Sequence, residues 1–255
     1  MSNILINKDL KIDCSSIDNN SEFVINKDEE HFLLLNKLAT NFEYRLLVED
    51  GAVLHLSILA DSRIENLKLT ANLGLNAKII VYFADFSYEI NKSEVIINLN
   101  KPGAEAIWKL ASLSSKKDNK NINVSVYHNA PQTTAKVDNY GVAKDNSKLL
   151  FSGDSYIYNG MVKSKTQQNA KIMVFDNDCI AKVKPMLRID ENDIEAGHAA
   201  AVGKISDEHI FYLTSRGLTL EESKMLITLG YLKPIFKGFN EEDVAYMNEI
   251  MEGRL

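Results

Sequence analysis

Between residues 43 and 204 the chain repeats one pattern: short apolar or alternating runs, each closed by Asn, Asp, Ser or Gly. The runs fall at 52–60, 64–73, 78–86, 94–99, 122–128, 149–151, 156–162, 171–175 and 186–189, and their composition and period predict β-strands. Strands recurring roughly every 10 to 14 residues without long intervening helices leave a sandwich, a barrel or a β-helix, and periodicity does not choose among them. Residues 1–42 read as a lead-in. It has a short alternating stretch at Ile4 and Ile6, and a compact helix is predicted over 29–38, where His31, Phe32, Leu34, Leu35 and Leu38 can share a face. The segment 103–113 also has helical spacing at Ala104, Ile107, Trp108 and Leu110.

Residues 205–255 carry helix punctuation instead. Ser206 can cap a helix that Gly217 ends, and Thr219 with Glu222 forms a capping box. The second helix carries Met225, Leu226, Ile227 and Leu229 to an expected stop at Gly230. Asn240 followed by Glu241, Glu242 and Asp243 starts a third, its acidic first turn suited to the positive end of the helix dipole. Leu226, Leu229, Tyr231, Leu232, Ile235 and Phe236 form an amphipathic set that can cap the open end of the β-domain with one face and bind a partner with the other.

With 255 residues and 45% hydrophobic content the chain can bury a sizeable core. A net charge of −6 gives no basic footprint, which argues against nucleic acid as a partner. The one dense cationic cluster, residues 116–120, is diluted by turn formers and reads as a solvated loop. No run reaches the ~20 apolar residues of a membrane span, and the N-terminus lacks a signal-peptide core. Cys14 and Cys179 form no C-x-x-C pair, so neither a disulfide framework nor a structural zinc site is expected, and Cys179 reads first as a half-buried structural thiol. There is no Walker-type phosphate loop and no G-x-S-x-G elbow.

The most informative stretch runs from Lys184 to Gly217. It sets His198 among Ala199, Ala200, Ala201 and Gly203, where another backbone or a partner can come close; a tight strand-to-helix junction is the plainer alternative. Glu195 lies three residues earlier, so on a regular strand the two side chains point to opposite faces.

Several motifs in this region occur together in a fixed order. They are the segment Tyr127-His128-Asn129-Ala130-Pro131 with Thr133, the strand Leu149 to Gly153, Thr166-Gln167-Gln168, Lys184-Pro185-Met186-Leu187-Arg188-Ile189, Gly197-His198, and Phe211-Tyr212-Leu213 with Ser215-Arg216-Gly217. In that order they resemble the core of the SufB/SufD family, scaffold subunits of the SUF iron–sulfur cluster assembly machine, over roughly residues 95 to 237. The resemblance implies a mainly β fold, with a right-handed parallel β-helix core at 43–204 and a C-terminal helical ATPase-docking region at 205–255. It also places 103–113 in the sheet. It implies a non-enzymatic cytoplasmic scaffold that pairs through its core and docks a SufC-type ABC ATPase through its helices, with Phe211, Tyr212, Arg216, Leu226, Leu229, Tyr231, Ile235 and Phe236 as the docking set.

By the same resemblance His198, with Glu195, His128 and Cys179, is a candidate for the cluster-assembly interface, where a transient iron–sulfur cluster and no stably bound cofactor is implied. Neutral imidazole is a competent iron ligand. SufB-type chains carry a cysteine after the Gln segment and Glu-His-Glu at the histidine. Here 166–171 has no cysteine and the histidine lies between Gly197 and Ala199, so the chain is SufD-like. The scaffold would pair with a SufB-like subunit or with itself. A β-helix carbohydrate enzyme or an inert solenoid are the alternatives; the scattered arginines, Arg45, Arg63, Arg188, Arg216 and Arg254, do not favour the enzyme.

Overall fold

In a computed structural model, which describes residues 2–254, the alternating runs form sixteen strands. The odd-numbered strands make one parallel sheet: β1 (Ser2–Ile6), β3 (Asn20–Ile25), β5 (Asn41–Val48), β7 (Ile64–Leu73), β9 (Ile90–Leu99), β11 (Asn119–His128), β13 (Lys148–Ile157) and β15 (Ile180–Ile189). The even-numbered strands make the facing one: β2 (Leu10–Asp13), β4 (Glu30–Asn36), β6 (Val53–Ala60), β8 (Lys78–Asp85), β10 (Glu105–Ser114), β12 (Thr134–Ala143), β14 (Ser164–Val174) and β16 (Ile194–Lys204). The chain alternates between the sheets and pairs each strand with the one two places on. This is a parallel β-helix.

The solenoid widens along its axis. Paired residues are 19 apart at Ser2↔Ser21 and 32 apart at Lys148↔Ile180, and the strands lengthen from 5 residues in β1 to 11 in β16. Inward positions stack in register, so Leu54, Ile79, Ala106 and Ala135 line one column of a dry interior. Trp108 is buried at its middle, edge-on to Phe83, with its indole N–H donating to Asn139 Oδ1 at 3.0 Å. Corners need left-handed residues. At the turn from the odd to the even sheet, successive coils place Asp28, Gly51, Asn76, Gly103, Gln132 and Lys163 at positive φ. A Cβ on Gly51 would run into the Asp28 carboxylate one coil away.

Three helices follow: α1 (Asp207–Ser215), α2 (Leu220–Leu232) and α3 (Glu241–Glu252), with a 3-10 turn at Lys233–Gly238. Ser206, Thr219 with Glu222, and Asn240 cap them as the sequence predicts. Leu232, Ile235, Met247 and Met251 pack against Leu59, Ala84, Phe86, Leu113 and Val142 on the outer face of the even sheet, a second apolar cluster distinct from the solenoid interior. Polar contacts pin α3 at both ends. Lys11 pairs with Asp243 at 2.8 Å and Tyr246 donates to Asp61 at 2.9 Å, while Arg254 donates to the carbonyls of Phe86 and Ser87 and pairs with Asp118.

Four expectations change. The helix predicted over 29–38 is strand β4, because Leu33 and Leu35 alternate into the core and pairing with β2 and β6 overrides the helical spacing. Residues 1–42 are therefore not a lead-in but the narrow first coils of the solenoid. Helix α2 passes Gly230, which has open space around it, and ends at Leu232 before Pro234. The cluster at 116–120 is a solvated loop only in part: Lys116 and Lys117 form an exposed turn, but Lys120 is fully buried, donating to Asp85 Oδ2 at 3.0 Å and to the Leu113 carbonyl at 2.8 Å. Asp85 also accepts from Ser87, Asn91 and Ser112. Burial alone would raise the Asp85 carboxyl, but Lys120 and the serine hydroxyls outweigh it and hold it below the usual range. Burial in turn drags the Lys120 ammonium down to about 8, against the pull of Asp85.

Candidate functional site at the wide end

Each strand of the last coil, β15 and β16, has a neighbour on one side only, so the wide end presents two free sheet edges. The helices do not cover them. They lie on the flank, and α1 packs chiefly on α2. The expectation that the tail caps the open end is thus replaced by a flank-packed tail. Register carries the interior columns into the last coil: Phe151 continues into Val183, Gln168 into His198, and Ile172 into Val202. Val183, Leu187 and Ile189 are half-buried, and Val202 is 47% exposed. The apolar lumen is open here.

His198 belongs to this rim. Its ring projects to the lumen side in line with buried Gln168, which donates to Ser155 Oγ at 2.6 Å, yet it is itself exposed. Glu195 lies on the outer face of the same strand, paired with Lys165 at 2.7 Å, and the unbroken register of β16 leaves no bulge to bring it to His198. His128 sits elsewhere, sealed at the end of β11. Its Nδ1 meets Thr133 Oγ1 at 2.7 Å, Thr133 meets Ser164 Oγ at 3.0 Å, its Nε2 is buried without a partner, and burial lowers the ring to about 4. Cys179 is at the opposite corner, before β15. Its thiol donates to the Asp145 carbonyl at 3.3 Å and is pushed up by burial, as a half-buried structural thiol would be. The four candidates therefore do not converge, and among the described residues no three His, Cys, Asp or Glu side chains are placed to hold a metal.

The proposed docking set divides in two. Phe211 and Tyr212 are 73% and 55% exposed on α1, with Arg216 stacked 5.1 Å over Tyr212. Leu226 and the partly exposed Leu229 line an apolar groove with Leu218 and Met225, rimmed by Glu221, Glu222 and Glu252. Tyr231, Ile235 and Phe236 instead pack on the sheet, Tyr231 edge-on to Tyr140 at 5.7 Å; Ile235 is buried there, while Tyr231 and Phe236 stay partly exposed. The Asp85–Lys120–Arg254 cluster was missed by sequence reasoning. Only the aspartate ending the apolar run at 79–84 hinted at it. Among the described residues no helix is long and apolar enough to cross a membrane.

Residues 16–231 match the family model described as the SufBD core domain of SUF-system FeS cluster assembly. The iron-sulfur cluster assembly protein SufD of Bacillus subtilis is 29% identical over 143 residues, 56% of this chain and 33% of that protein. SufB of the same organism is 25% identical over 154 residues, 60% of this chain and 33% of that protein. A SufBD family protein of Staphylococcus epidermidis is 24% identical over 150 residues, 59% of this chain and 32% of that protein. The matched segments thus span about a third of those relatives' lengths.

Proposed function

The chain belongs to the SufBD core-domain family of the SUF iron–sulfur cluster assembly system, and from that premise we propose that it is a SufD-like, non-enzymatic scaffold subunit. It works by pairing its wide end with another β-helix core and docking a SufC-type ABC ATPase on its helices. The observation that carries this reading is the uncapped last coil: a solenoid that ends in free edges and an open apolar lumen needs a covering surface, and the tail lies elsewhere. His198 stands at that rim, so pairing would bury it at the subunit junction. The cluster is cargo. Neutral imidazole can contribute one iron ligand, and since no other candidate converges on His198, the partner supplies the rest.

The second surface is the exposed α1 face of Phe211, Tyr212 and Arg216 with the adjacent acid-rimmed groove, which suits an apolar, basic segment of the ATPase. Anaerobic co-purification with the SufC-type ATPase, with light scattering to count subunits, tests the reading. A complex that survives gel filtration and is lost in Phe211→Ala/Leu226→Ala is expected. A wild-type chain that binds neither the ATPase nor any core would reject the scaffold role.

A further inference from the structure

Helix α3 lies beyond the segment matched to the SufBD core, and its last turn runs against the usual charge preference of helices. Glu249 and Glu252 stand there with no basic residue beside them, although carboxylates are disfavoured at the negative end of a helix dipole. The nearest cation in sequence, Arg254, is drawn into the solenoid instead. Its Nη1 donates to the Phe86 and Ser87 carbonyls at 2.7 and 2.8 Å, its Nε and Nη2 to Ser115 Oγ at 3.2 and 3.1 Å, and Nη2 also to Asp118. Asp118 is itself held by the Glu89 and Ser115 N–H groups at 2.7 and 2.9 Å. These partners belong to two successive corners, between β8 and β9 and between β10 and β11, so one side chain ties the end of α3 to two coils. Met247 and Met251, fully buried on the sheet, fix which face of the last turn looks outward.

That orientation makes Glu252 the contribution of α3 to the apolar groove of Leu218, Met225, Leu226 and Leu229. The three carboxylates on its rim are not alike. Glu222 is committed to the capping box, accepting from the Thr219 N–H at 2.7 Å, a bond that holds its carboxyl below the usual range. Glu221 and Glu252 are exposed and, among the described residues, bond to nothing. A carboxylate kept without compensation at a helix C-terminus lowers stability, and the groove is what it faces. Resting on the ATPase-docking reading above, we infer that Glu252 receives a Lys or Arg side chain flanking the apolar contact of the docked ATPase segment, and that Arg254 is the positioning residue that holds it at the groove. By placing its own charge in the corners, Arg254 leaves Glu252 free for that cation.

Calorimetric titration of the full chain with the SufC-type ATPase tests this. Glu252→Gln is expected to weaken binding about two- to fivefold at low salt, an effect lost at high salt, without lowering the thermal midpoint. Arg254→Ala should weaken binding at least as much, and Glu252→Gln added to it should change nothing further, whereas Leu226→Ala, on α2, should keep its full effect in that background. A purely electrostatic Arg254 would repel the incoming cation, so its removal would instead tighten the complex. Arg254→Lys, equal in charge but without the planar fork, should behave as Arg254→Ala. Ser115→Ala, which removes an acceptor shared by two of the guanidinium donors, loosens the same tether where Arg254→Ala fails to fold, and must show the same non-additivity with Glu252→Gln. Additive losses, or a Glu252→Gln or Arg254→Ala chain that binds as tightly as wild type, overturn the inference and leave the docking reading standing. A wild-type chain that does not bind the ATPase removes the docking reading and the inference with it.

Discussion

Replacing Lys120 by methionine keeps the aliphatic stem and approximate volume but deletes the ammonium that faces Asp85 at 3.0 Å, both side chains being fully buried. Removing one member of a buried ion pair costs about 3–5 kcal/mol, because the other charge is stranded. Asp85 keeps donors from Ser87, Asn91 and Ser112, which places the expected loss near the lower bound, about 3 kcal/mol, or roughly a hundredfold in the folded-to-unfolded ratio. Urea unfolding followed by Trp108 fluorescence reads it, since this single tryptophan is buried in the core. The double variant Asp85→Asn/Lys120→Met removes both charges and should recover about 2 kcal/mol of the loss as coupling energy. In the wild type the depressed Asp85 carboxyl contributes stability above its unfolded value of 3.8, lost as pH falls through the lower folded value. In Lys120→Met burial raises the same group, the folded state binds the proton more tightly, and the gap to wild type should narrow toward acid pH. A Lys120→Met variant within about 1 kcal/mol of wild type, or losses that simply add in the double variant, would refute the reading of this cluster as a coupled ion pair.

His128 gives a second pH signature. Its folded value of about 4 lies below the unfolded 6.5, so its contribution is complete above 6.5 and is lost as pH falls toward 4, by up to about 3 kcal/mol; His128→Gln should flatten that limb of the stability curve, and an unchanged limb would mean the ring is not buried neutral. His198→Ala, at an exposed rim position, should shift stability by less than about 0.5 kcal/mol yet impair cluster assembly in a complemented strain, and normal assembly would remove His198 from the site.

The alternating runs of 43–204 were legible because a two-sided strand must place apolar residues at every second position, whichever sheet it joins. Their closure into a β-helix was not. Pairing between residues 19 to 32 apart leaves no local trace, and the resemblance of the His128, Lys184 and His198 segments supplied it. Strand β4 misled because Leu34, Leu35 and Leu38 also fit a helical face, and only its neighbours β2 and β6 settle the period. Lys120 misled for a related reason: among Lys116, Lys117 and Asp118 it looks solvated, and its partner Asp85 ends β8, three strands earlier and in the facing sheet. Of the site, His198 and its small neighbours were visible from the sequence. That they stand at a free edge depends on β16 pairing with β14 alone, which only the fold fixes.

The direction of the taper bears on why the proposed partner surface is at this end. At the narrow end Ile6 and Cys14 are fully buried and Ile4, Leu10 and Ile12 partly so, while at the wide end the longer columns stop at Val183, Leu187, Ile189, Ala200 and Val202, of which Ala200 and Val202 are exposed. Fully burying such an aliphatic side chain gives about 1.5–3 kcal/mol relative to exposure, so five incompletely covered positions retain several kcal/mol that only a second surface can release. A terminal coil evolved to stand alone would carry polar inward residues or be roofed by its own tail. Here the tail's apolar residues, Leu232, Ile235, Met247 and Met251, are committed to the flank by contacts at both ends of α3, and folding them over the end would expose Phe86 and Leu113 in exchange. Among the described residues the tail leaves this end uncovered, which is the condition the proposed pairing requires.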